Sequence, residues 1–327
     1  MTLRTDLLQL LKNNGDHYIS GEQICRQLGV SRTAVWKHME ALRKMDYVIE
    51  ARSNAGYRLV SVPDRLYPEE VQTDLETSVM GSEVRYSAGV VSTNENAKEW
   101  AREGAPDGAV YIAEEQGVGK GRLGRGWFSP RGRGLWFSIV VRPQINPVDV
   151  PQITLVAAVA VAAAINEQTG LVPGIKWPND LLAGKGKLCG ILTEMNADME
   201  RIQHIVIGIG LNVNIYQEDI PRELQGVITS IAMETGRKIN RVQLLQAILR
   251  QMDCWYQIWI SSGFNAILEK WKQWNVTLGQ RVQVSTLKEV VEGVAEDVDE
   301  TGALVVRLND GNCKRFLAGE VSLRGKK

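Results

Sequence analysis

Between residues 116 and 127 the chain reads Gln116-Gly117-Val118-Gly119-Lys120-Gly121-Arg122-Leu123-Gly124-Arg125-Gly126-Trp127, five glycines interleaved with three cations. Glycine lets a backbone approach a ligand closely and turn its N–H groups toward anionic oxygens. Lys120, Arg122 and Arg125 add positive charge, so the stretch suits a phosphate or a phosphoanhydride. It also restricts the fold. A dinucleotide-binding glycine loop needs a helix straight after it and an acid about 20 residues on. Here Trp127-Phe128-Ser129-Pro130 follows, and no helix starts cleanly. A phosphate-binding loop needs Ser or Thr after its Gly-Lys pair, but Lys120 is followed by Gly121. Both familiar nucleotide folds are disfavoured, and the interleaved cations argue against a merely mobile surface loop.

At 327 residues the chain predicts two or three domains. A hydrophobic fraction of 44% and a charged fraction of 23% are ordinary for a soluble protein with a sizeable core. Net charge is zero, so any contact with DNA has to come from a local patch. The four cysteines, Cys25, Cys189, Cys254 and Cys313, are scattered. They suggest neither a disulfide framework nor a zinc site. The three histidines are far apart, and no metal ligand set is expected. The amphipathic start, Met1 to Leu11, does not read as a signal peptide. The longest apolar run, Ile153 to Ile165, is shorter than the ~20 residues a membrane span needs and reads as a core helix. A cytoplasmic protein with no membrane partner is expected.

Three regions separate. Residues 1–63 end at a proline, Pro63, ahead of a new helical pattern at Pro68. Residues 64–275 mix strand-like runs (Ala109–Ala113, Leu135–Val141, Ile205–Ile209) with helical ones (Asn94–Glu103, Val150–Thr169, Val242–Ser261). Their spacing favours a mixed sheet over a doubly wound one. Residues 276–327 hold short strands (Arg281–Ser285, Val290–Asp297, Ala303–Arg307, Lys314–Ala318) punctuated by glycines, the pattern of a small β-barrel. The fold class is α/β of the α+β type.

The first region reads as a winged helix-turn-helix. Leucines recur at helical spacing over Leu3 to Lys12. Ser20 and Gln23 form a capping-box pattern for a helix over Gly21 to Leu28, which Gly29 ends as a left-handed cap. Ser31 caps a third helix, Arg32 to Lys44. Its exposed first turns carry Arg32, Thr33, Trp36 and Lys37, residue types that reach bases and phosphates. Val48–Glu50 and Tyr57–Val60, joined through Ser53-Asn54-Ala55-Gly56, read as a hairpin wing carrying Arg58. Residues 1–62 hold nine Lys and Arg against six acids, a locally positive balance. Ser31, Arg32, Thr33, Trp36, Lys37 and Arg58 are the DNA-contact candidates. A helical hairpin used for protein contact is the plainer alternative.

Two further stretches stand out. One is Lys176-Trp177-Pro178-Asn179-Asp180, followed by Lys187-Leu188-Cys189-Gly190-Ile191-Leu192. The other is Ile207-Gly208-Ile209-Gly210-Leu211-Asn212-Val213-Asn214. Each alone is ambiguous, and a solvated hairpin lysine is the usual reading of Lys187. Taken in order with the glycine loop and with Ser92-Thr93-Asn94 upstream, they closely resemble the biotin–protein ligase family. With the N-terminal helix-turn-helix, the resemblance spans the full chain and extends to the bifunctional members that also repress biotin synthesis genes.

What the resemblance implies is specific. Ser92, Thr93, Asn94, Gln116, Lys120, Gly121, Arg122 and Lys187 would bind biotin. Gly119, Arg122, Arg125, Trp127, Lys176 and Asn212 would bind the nucleotide. Lys187, Arg122 and Asp180 would carry the chemistry. Biotin and ATP, with Mg²⁺, would form biotinyl-5'-AMP, and a lysine of the biotin carboxyl carrier protein of acetyl-CoA carboxylase would accept the biotin. The implied repressor is a ligand-promoted homodimer on an inverted-repeat operator. Hydroxyl and amide groups suit a ureido ring because they donate and accept together. A helix N-cap is the plain alternative for Ser92-Thr93-Asn94. Two positions depart from the family pattern: Lys120 stands where arginine is common, and Val227 where some members place a tryptophan against adenine. Two other readings compete: a ligand-sensing transcription factor without ligase activity, and a ligase for a related acid such as lipoate.

Overall fold

Ser20 and Gly29 bracket a helix as the sequence predicts. The Ser20 hydroxyl accepts from Gln23 N, the Gln23 side chain answers back, and Gly29 takes the left-handed conformation at φ 67°. The computed structural model describes residues 3–198, 201–286 and 289–323, apart from the side chain of Leu123. The chain divides into two compact units, residues 1–74 and 75–327.

In the first unit α1 (Leu3–Asn13), α2 (Gly21–Leu28) and α3 (Arg32–Lys44) are followed by the hairpin of β1 (Val48–Arg52) and β2 (Gly56–Ser61) and by α4 (Pro68–Gln72). Leu7, Leu8 and Leu11 of α1 meet Ile24 of α2 and Val35, Met39 and Leu42 of α3 in one core. The unit extends past Pro63 because α4 folds back onto it. Glu69 and Glu70 are buried. Lys12 Nζ lies 2.6 Å from a Glu70 carboxylate oxygen, and Arg4 pairs with Glu69. The Tyr47 hydroxyl donates to Glu70 at 2.7 Å. Burial and the Glu70 charge push that hydroxyl's pKa far above its ordinary value.

The second unit is built on β3 (Val84–Ser87), α5 (Thr93–Arg102), β4 (Ala109–Ala113), the two-residue strands β5 (Gly119–Lys120) and β6 (Gly126–Trp127), β7 (Gly134–Val141), α6 (Val150–Thr169), β8 (Gly174–Lys176), β9 (Asp180–Ala183), β10 (Gly186–Ala197), β11 (Ile202–Asn212), α7 (Ile231–Thr235), α8 (Arg241–Ser262) and α9 (Asn265–Trp274). Seven strands form a mixed sheet in the order β3-β4-β7-β11-β10-β9-β8. Only β3 and β4 pair in parallel among these neighbours. Side chains alternate between faces along a strand. Glu194 of β10, Ser138 of β7 and Gly208 of β11 therefore share the face that Asn94 of α5 contacts. Thr193 turns to the other face, where it meets Thr154 of α6 at 2.9 Å.

Helix α6 is long and apolar enough by itself to cross a membrane. The apolar run read from the sequence was shorter because Pro151, Gln152 and Asn166 interrupt it. Most of the helix is buried in this unit, against α8, α9 and β10. It is a core helix here.

Strands β12 (Arg281–Ser285), β13 (Val290–Val298), β14 (Leu304–Arg307), β15 (Cys313–Phe316) and β16 (Glu320–Leu323) form an antiparallel sheet in the order β15-β14-β13-β12-β16. It encloses Val282, Val284, Ala295, Leu304, Val306 and Val321. Among the described residues no ladder joins β15 to β16. Residues 324–327 of the expected C-terminal domain lie outside the described residues. This sheet belongs to the second unit rather than standing apart. The Trp177 indole donates to Gly302 O at 3.0 Å, Thr277 accepts from Trp177 N at 2.9 Å, and Gln152 donates to Glu300 O at 3.1 Å.

Candidate functional site

Glycines make the floor of the site. Gly190 on β10 lies directly opposite Gly210 on β11, and Gly208 lies opposite Leu192. A Cβ on Gly190 would reach the Trp127 indole at 2.9 Å, and one on Gly210 would collide with the same ring. A Cβ on Gly208 would collide with the Asn94 amide. Three missing side chains therefore let an indole and an amide lie flat on the sheet.

The glycine-rich stretch is an ordered hairpin. Gly119 pairs with Trp127 and Lys120 with Gly126, with a short turn of 3-10 helix between them. The strand pairing is what brings Trp127 back over the sheet.

Lys187 sits beside a bulge. On β9, Leu182 and Leu181 oppose Lys187 and Cys189, so Leu188 is the extra residue. On its other side Lys187 N donates to Val227 O at 2.9 Å and Lys187 O accepts from Thr229 N at 3.1 Å. Its ammonium lies 2.7 Å from Asp180 and 5.1 Å from the centre of the Trp127 ring. Lys176 is 3.8 Å from the same carboxylate. Asn212 spends its amide nitrogen on Thr229 O at 2.9 Å and Lys187 O at 3.3 Å. Its oxygen is buried without a hydrogen-bond partner among the described residues, and so is the Trp127 indole nitrogen. Buried orphans of this kind are costly and mark places where a ligand group belongs.

One cavity of about 270 Å³ gathers most of the residues singled out from the sequence: Ser92, Thr93, Asn94, Gln116, Lys120, Gly121, Arg122, Arg125, Trp127, Lys176, Asp180, Lys187 and Asn212. Gly119 is not in its lining; it is buried against Trp127 O and Ser129. Ser92 stands at the N-cap position of α5 but makes no side-chain capping bond. The plain capping explanation of that serine is therefore not what the fold uses. Gln116 holds Thr93 instead, accepting from its backbone N at 2.9 Å and donating to Ser129 at 2.9 Å.

The loop cations are all engaged. Lys120 meets Glu95 at 2.7 Å. Lys120 and Lys98 together hold the Glu95 carboxyl down at about 2. Arg122 donates to Gly319 O at 3.0 Å, and Arg125 pairs with Glu320. Burial lowers the Arg122 guanidinium from its ordinary value, with Asp180 and Glu320 opposing. Glu320 and Val321, which line the same cavity, come from the C-terminal sheet and were not foreseen. No local sequence signal marks them, because their place depends on how that sheet packs. Among the described residues no group of three His, Cys, Asp or Glu stands close enough to hold a metal ion.

In the N-terminal unit, Arg32, Thr33, Trp36 and Lys37 are exposed along the start of α3. Ser31 serves as the helix cap, accepting from Ala34 N at 3.2 Å. Arg58 on the wing is tied to Glu50 at 2.7 Å and lies over the Tyr18 ring at 5.0 Å. It is a less open cation than its sequence position implied.

Three regions of the chain match known family models. Residues 3–58 match a helix-turn-helix domain model, residues 87–212 the biotin/lipoate A/B protein ligase family, and residues 277–324 the biotin protein ligase C-terminal domain. The bifunctional ligase/repressor BirA of Bacillus subtilis (strain 168) is 40% identical over 322 residues, covering 98% of this chain and 99% of the relative. That of Escherichia coli (strain K12) is 30% identical, covering 99% and 98%. The structure of the Aquifex aeolicus biotin protein ligase in complex with biotin and ATP aligns with a TM-score of 0.64 at 30% identity, covering 74% of this chain and 99% of that one. With all three matched regions in order and the likeness running nearly end to end in both chains, this chain belongs to the bifunctional ligase/repressor family of biotin protein ligases.

Proposed function

We propose that the glycine-floored cavity joins biotin to ATP as biotinyl-5'-AMP and passes the biotin to a lysine of the biotin carboxyl carrier protein of acetyl-CoA carboxylase. The N-terminal unit represses biotin synthesis genes. The observation that carries the reading is Lys187, beside the Leu188 bulge of β10, with its ammonium against Asp180 and over Trp127, in a family whose members are named ligases and repressors.

In the first step a biotin carboxylate oxygen attacks the α-phosphorus of ATP. The new O–P bond belongs to a mixed carboxylic–phosphoric anhydride, and the bond from the α-phosphorus to the bridging oxygen breaks, that oxygen leaving with pyrophosphate. Two anions have to meet, so positive charge fixed in advance is the main requirement. Lys187 exchanges Asp180 for the biotin carboxylate and the α-phosphate. Arg122 and Lys176 add charge beside it, and Arg125 and the Gly121 backbone follow the phosphates. The orphaned Asn212 oxygen and the Trp127 ring serve the base. Val227, on the rim, does not have to stack. Ser92, Thr93, Asn94 and Gln116 take the ureido ring, with Lys120 closing over it. Mg²⁺ would come with ATP and would supply neutralisation of phosphate charge, beside the Lys187, Arg122 and Lys176 cations.

In the second step the acceptor amine attacks the acyl carbon and AMP leaves. The amine gives up a proton, and Asp180, once freed from Lys187, orients it. No nucleophile on the enzyme is needed. Ordering of the loop over the adenylate favours a homodimer, which presents two α3 helices to an inverted-repeat operator. The site of action is the cytoplasm.

Incubation with biotin, ATP, Mg²⁺ and a biotin carrier domain, followed by intact-mass measurement of the carrier, tests the ligase. One added biotin is expected with the wild type and none with Lys187→Ala. An unmodified carrier with the wild type would refute the reading. Gel-shift titration on upstream DNA of biotin synthesis genes tests the repressor, and binding is expected to tighten when biotin and ATP are present.

A further inference from the structure

A second cavity, of about 190 Å³, adjoins the first, and Arg122, Trp177, Pro178, Asn179, Ile191 and Leu192 line both. Its other walls include the start of α6, with Val150, Pro151, Thr154 and Leu155, and the turn between β15 and β16, with Leu317 and Ala318. Leu317 and Ala318 are exposed, whereas Leu155, Trp177 and Ile191 are buried. The cavity therefore has its mouth at that turn and its floor against the first cavity.

Arg122 is the one charged side chain among the described residues of the lining. A single cation does not neutralise a polyanion such as pyrophosphate, and the aliphatic walls suit methylene groups instead. Asn179 puts a polar atom at the floor. Its backbone oxygen accepts from Ile191 N at 2.9 Å, and its side-chain nitrogen donates to Ile191 O at 2.8 Å. That carbonyl can only accept, so the Asn179 amide is fixed in orientation and its Oδ1 is left for a ligand donor. An alkyl chain ending in a neutral amine fits such a lining. An ammonium fits poorly, because apolar walls desolvate it and Arg122 repels it.

The first cavity needs such an entrance. Its glycine hairpin is tied to α5 through Lys120 and Glu95, and to the C-terminal sheet through Arg125 and Glu320. An adenylate under that hairpin is kept from water. An amine of another protein nevertheless has to reach its acyl carbon, and a second opening meets both conditions.

We infer that the second cavity is the port by which the acceptor lysine reaches the adenylate, with Asn179 Oδ1 receiving its amine. This rests on the reading of the first cavity as the biotinyl-5'-AMP site. Arg122, which here donates to Gly319 O at 3.0 Å, exchanges that oxygen for the phosphate and clears the passage. The lysine leaves one proton in water as it enters. Its nitrogen lone pair attacks the acyl carbon, and a C–N bond forms. The bond from that carbon to the phosphate oxygen breaks, AMP leaves with the electron pair, and the surplus amine proton passes to the Asp180 carboxylate.

The test measures two half-reactions separately on the full chain: single-turnover formation of biotinyl-5'-AMP, and transfer from the preformed enzyme-bound adenylate to a biotin carrier domain. Thr154→Phe fills the cavity from the α6 wall, and Ala318→Trp fills it from the exposed mouth. Each is expected to slow transfer by about tenfold or more, while adenylate formation stays within about twofold. Thr154→Val keeps the volume and loses only the hydroxyl that meets Thr193 at 2.9 Å, so it should transfer at nearly the wild-type rate. Should Thr154→Phe fail to fold, Ala318→Trp decides alone. Wild-type transfer in a folded, filled variant, or an equal loss of both half-reactions in Ala318→Trp, would overturn the port while leaving the biotin site standing. A wild-type chain that forms no adenylate would overturn both.

Discussion

Lys187 Nζ stands 2.7 Å from Asp180 Oδ1, beside a β-bulge in which Leu188 is the extra residue. In the proposed reaction the pair would hold a cation where two anions meet, with the carboxylate as its partner until they arrive. Removing the amine should cost on the order of 10²–10³ in the rate of adenylate formation. Lys187→Ala should therefore nearly abolish ATP–pyrophosphate exchange. Asp180→Asn should spare biotin binding more than it spares transfer to the carrier lysine. Single-turnover measurement of the two half-reactions separates the cases, and equal loss in both would remove Asp180 from the second step.

Gly210 lies against the Trp127 indole, with no room for a side chain between them. Gly210→Val should lift the ring off the sheet. ATP affinity should fall by about tenfold or more, since stacking on an aromatic ring is worth roughly 1–3 kcal/mol per base. Biotin affinity should change less, because Ser92 and Thr93 are held by α5 and its cap rather than by the hairpin that carries that ring. Calorimetry with each ligand alone decides this. A selective loss of biotin would reverse the assignment of the two ends.

Arg241 and Glu114 form a fully buried ion pair at 2.9 Å that ties the start of α8 to the exit of β4, two residues before Gln116. Breaking a buried pair leaves an uncompensated charge, at a cost of about 3–5 kcal/mol. Arg241→Met should lower the urea midpoint of the second unit by a corresponding amount. Glu114→Gln combined with Arg241→Met should recover part of it. Additive losses would show that the two side chains act separately.

The Glu95 carboxyl is held at about 2 by its hydrogen bonds to Lys120 and Lys98, against an ordinary 4.5. A depressed carboxylate adds stability that is fully present above its unfolded value and is lost as pH falls through the folded one. The tether on Lys120 should therefore persist from neutral pH down to about pH 3 and fail toward pH 2. A carbon-13 titration of the Glu95 carboxyl follows it directly. Glu95→Gln should flatten the pH dependence of stability between pH 4.5 and 2. A titration midpoint near 4.5 would show that the tether does not hold in solution.

Lys37 is exposed near the start of α3, whereas Arg58 is tied to Glu50. If Lys37 neutralises one phosphate, Lys37→Ala should weaken operator binding on all sequences alike. It should also reduce the salt slope by about 1. Arg58→Ala should change that slope less. Equal slopes for Lys37→Ala and the wild type would remove Lys37 from the phosphate contacts.

Local patterns were legible in the chain because local physics decides them. Ser20, Gln23 and Gly29 fix one helix through hydrogen bonds and a left-handed turn that need no distant partner. The alternation that puts Gly208 and Gly210 on one face follows from strand geometry alone. The glycine loop announced its charge and its incompatibility with two nucleotide folds, and the ordered motifs announced the family. Tertiary structure decided what those residues face. That Gly190 opposes Gly210 depends on the register between β10 and β11, and that Trp127 covers both depends on a two-residue hairpin. Glu320 reaches the cavity only because a separate sheet packs beside it, and Glu194 meets Asn94 across 100 residues of chain. Contacts of that kind arise when hydrophobic faces are buried together, and burial sets no constraint between positions that are remote in the chain until it has happened.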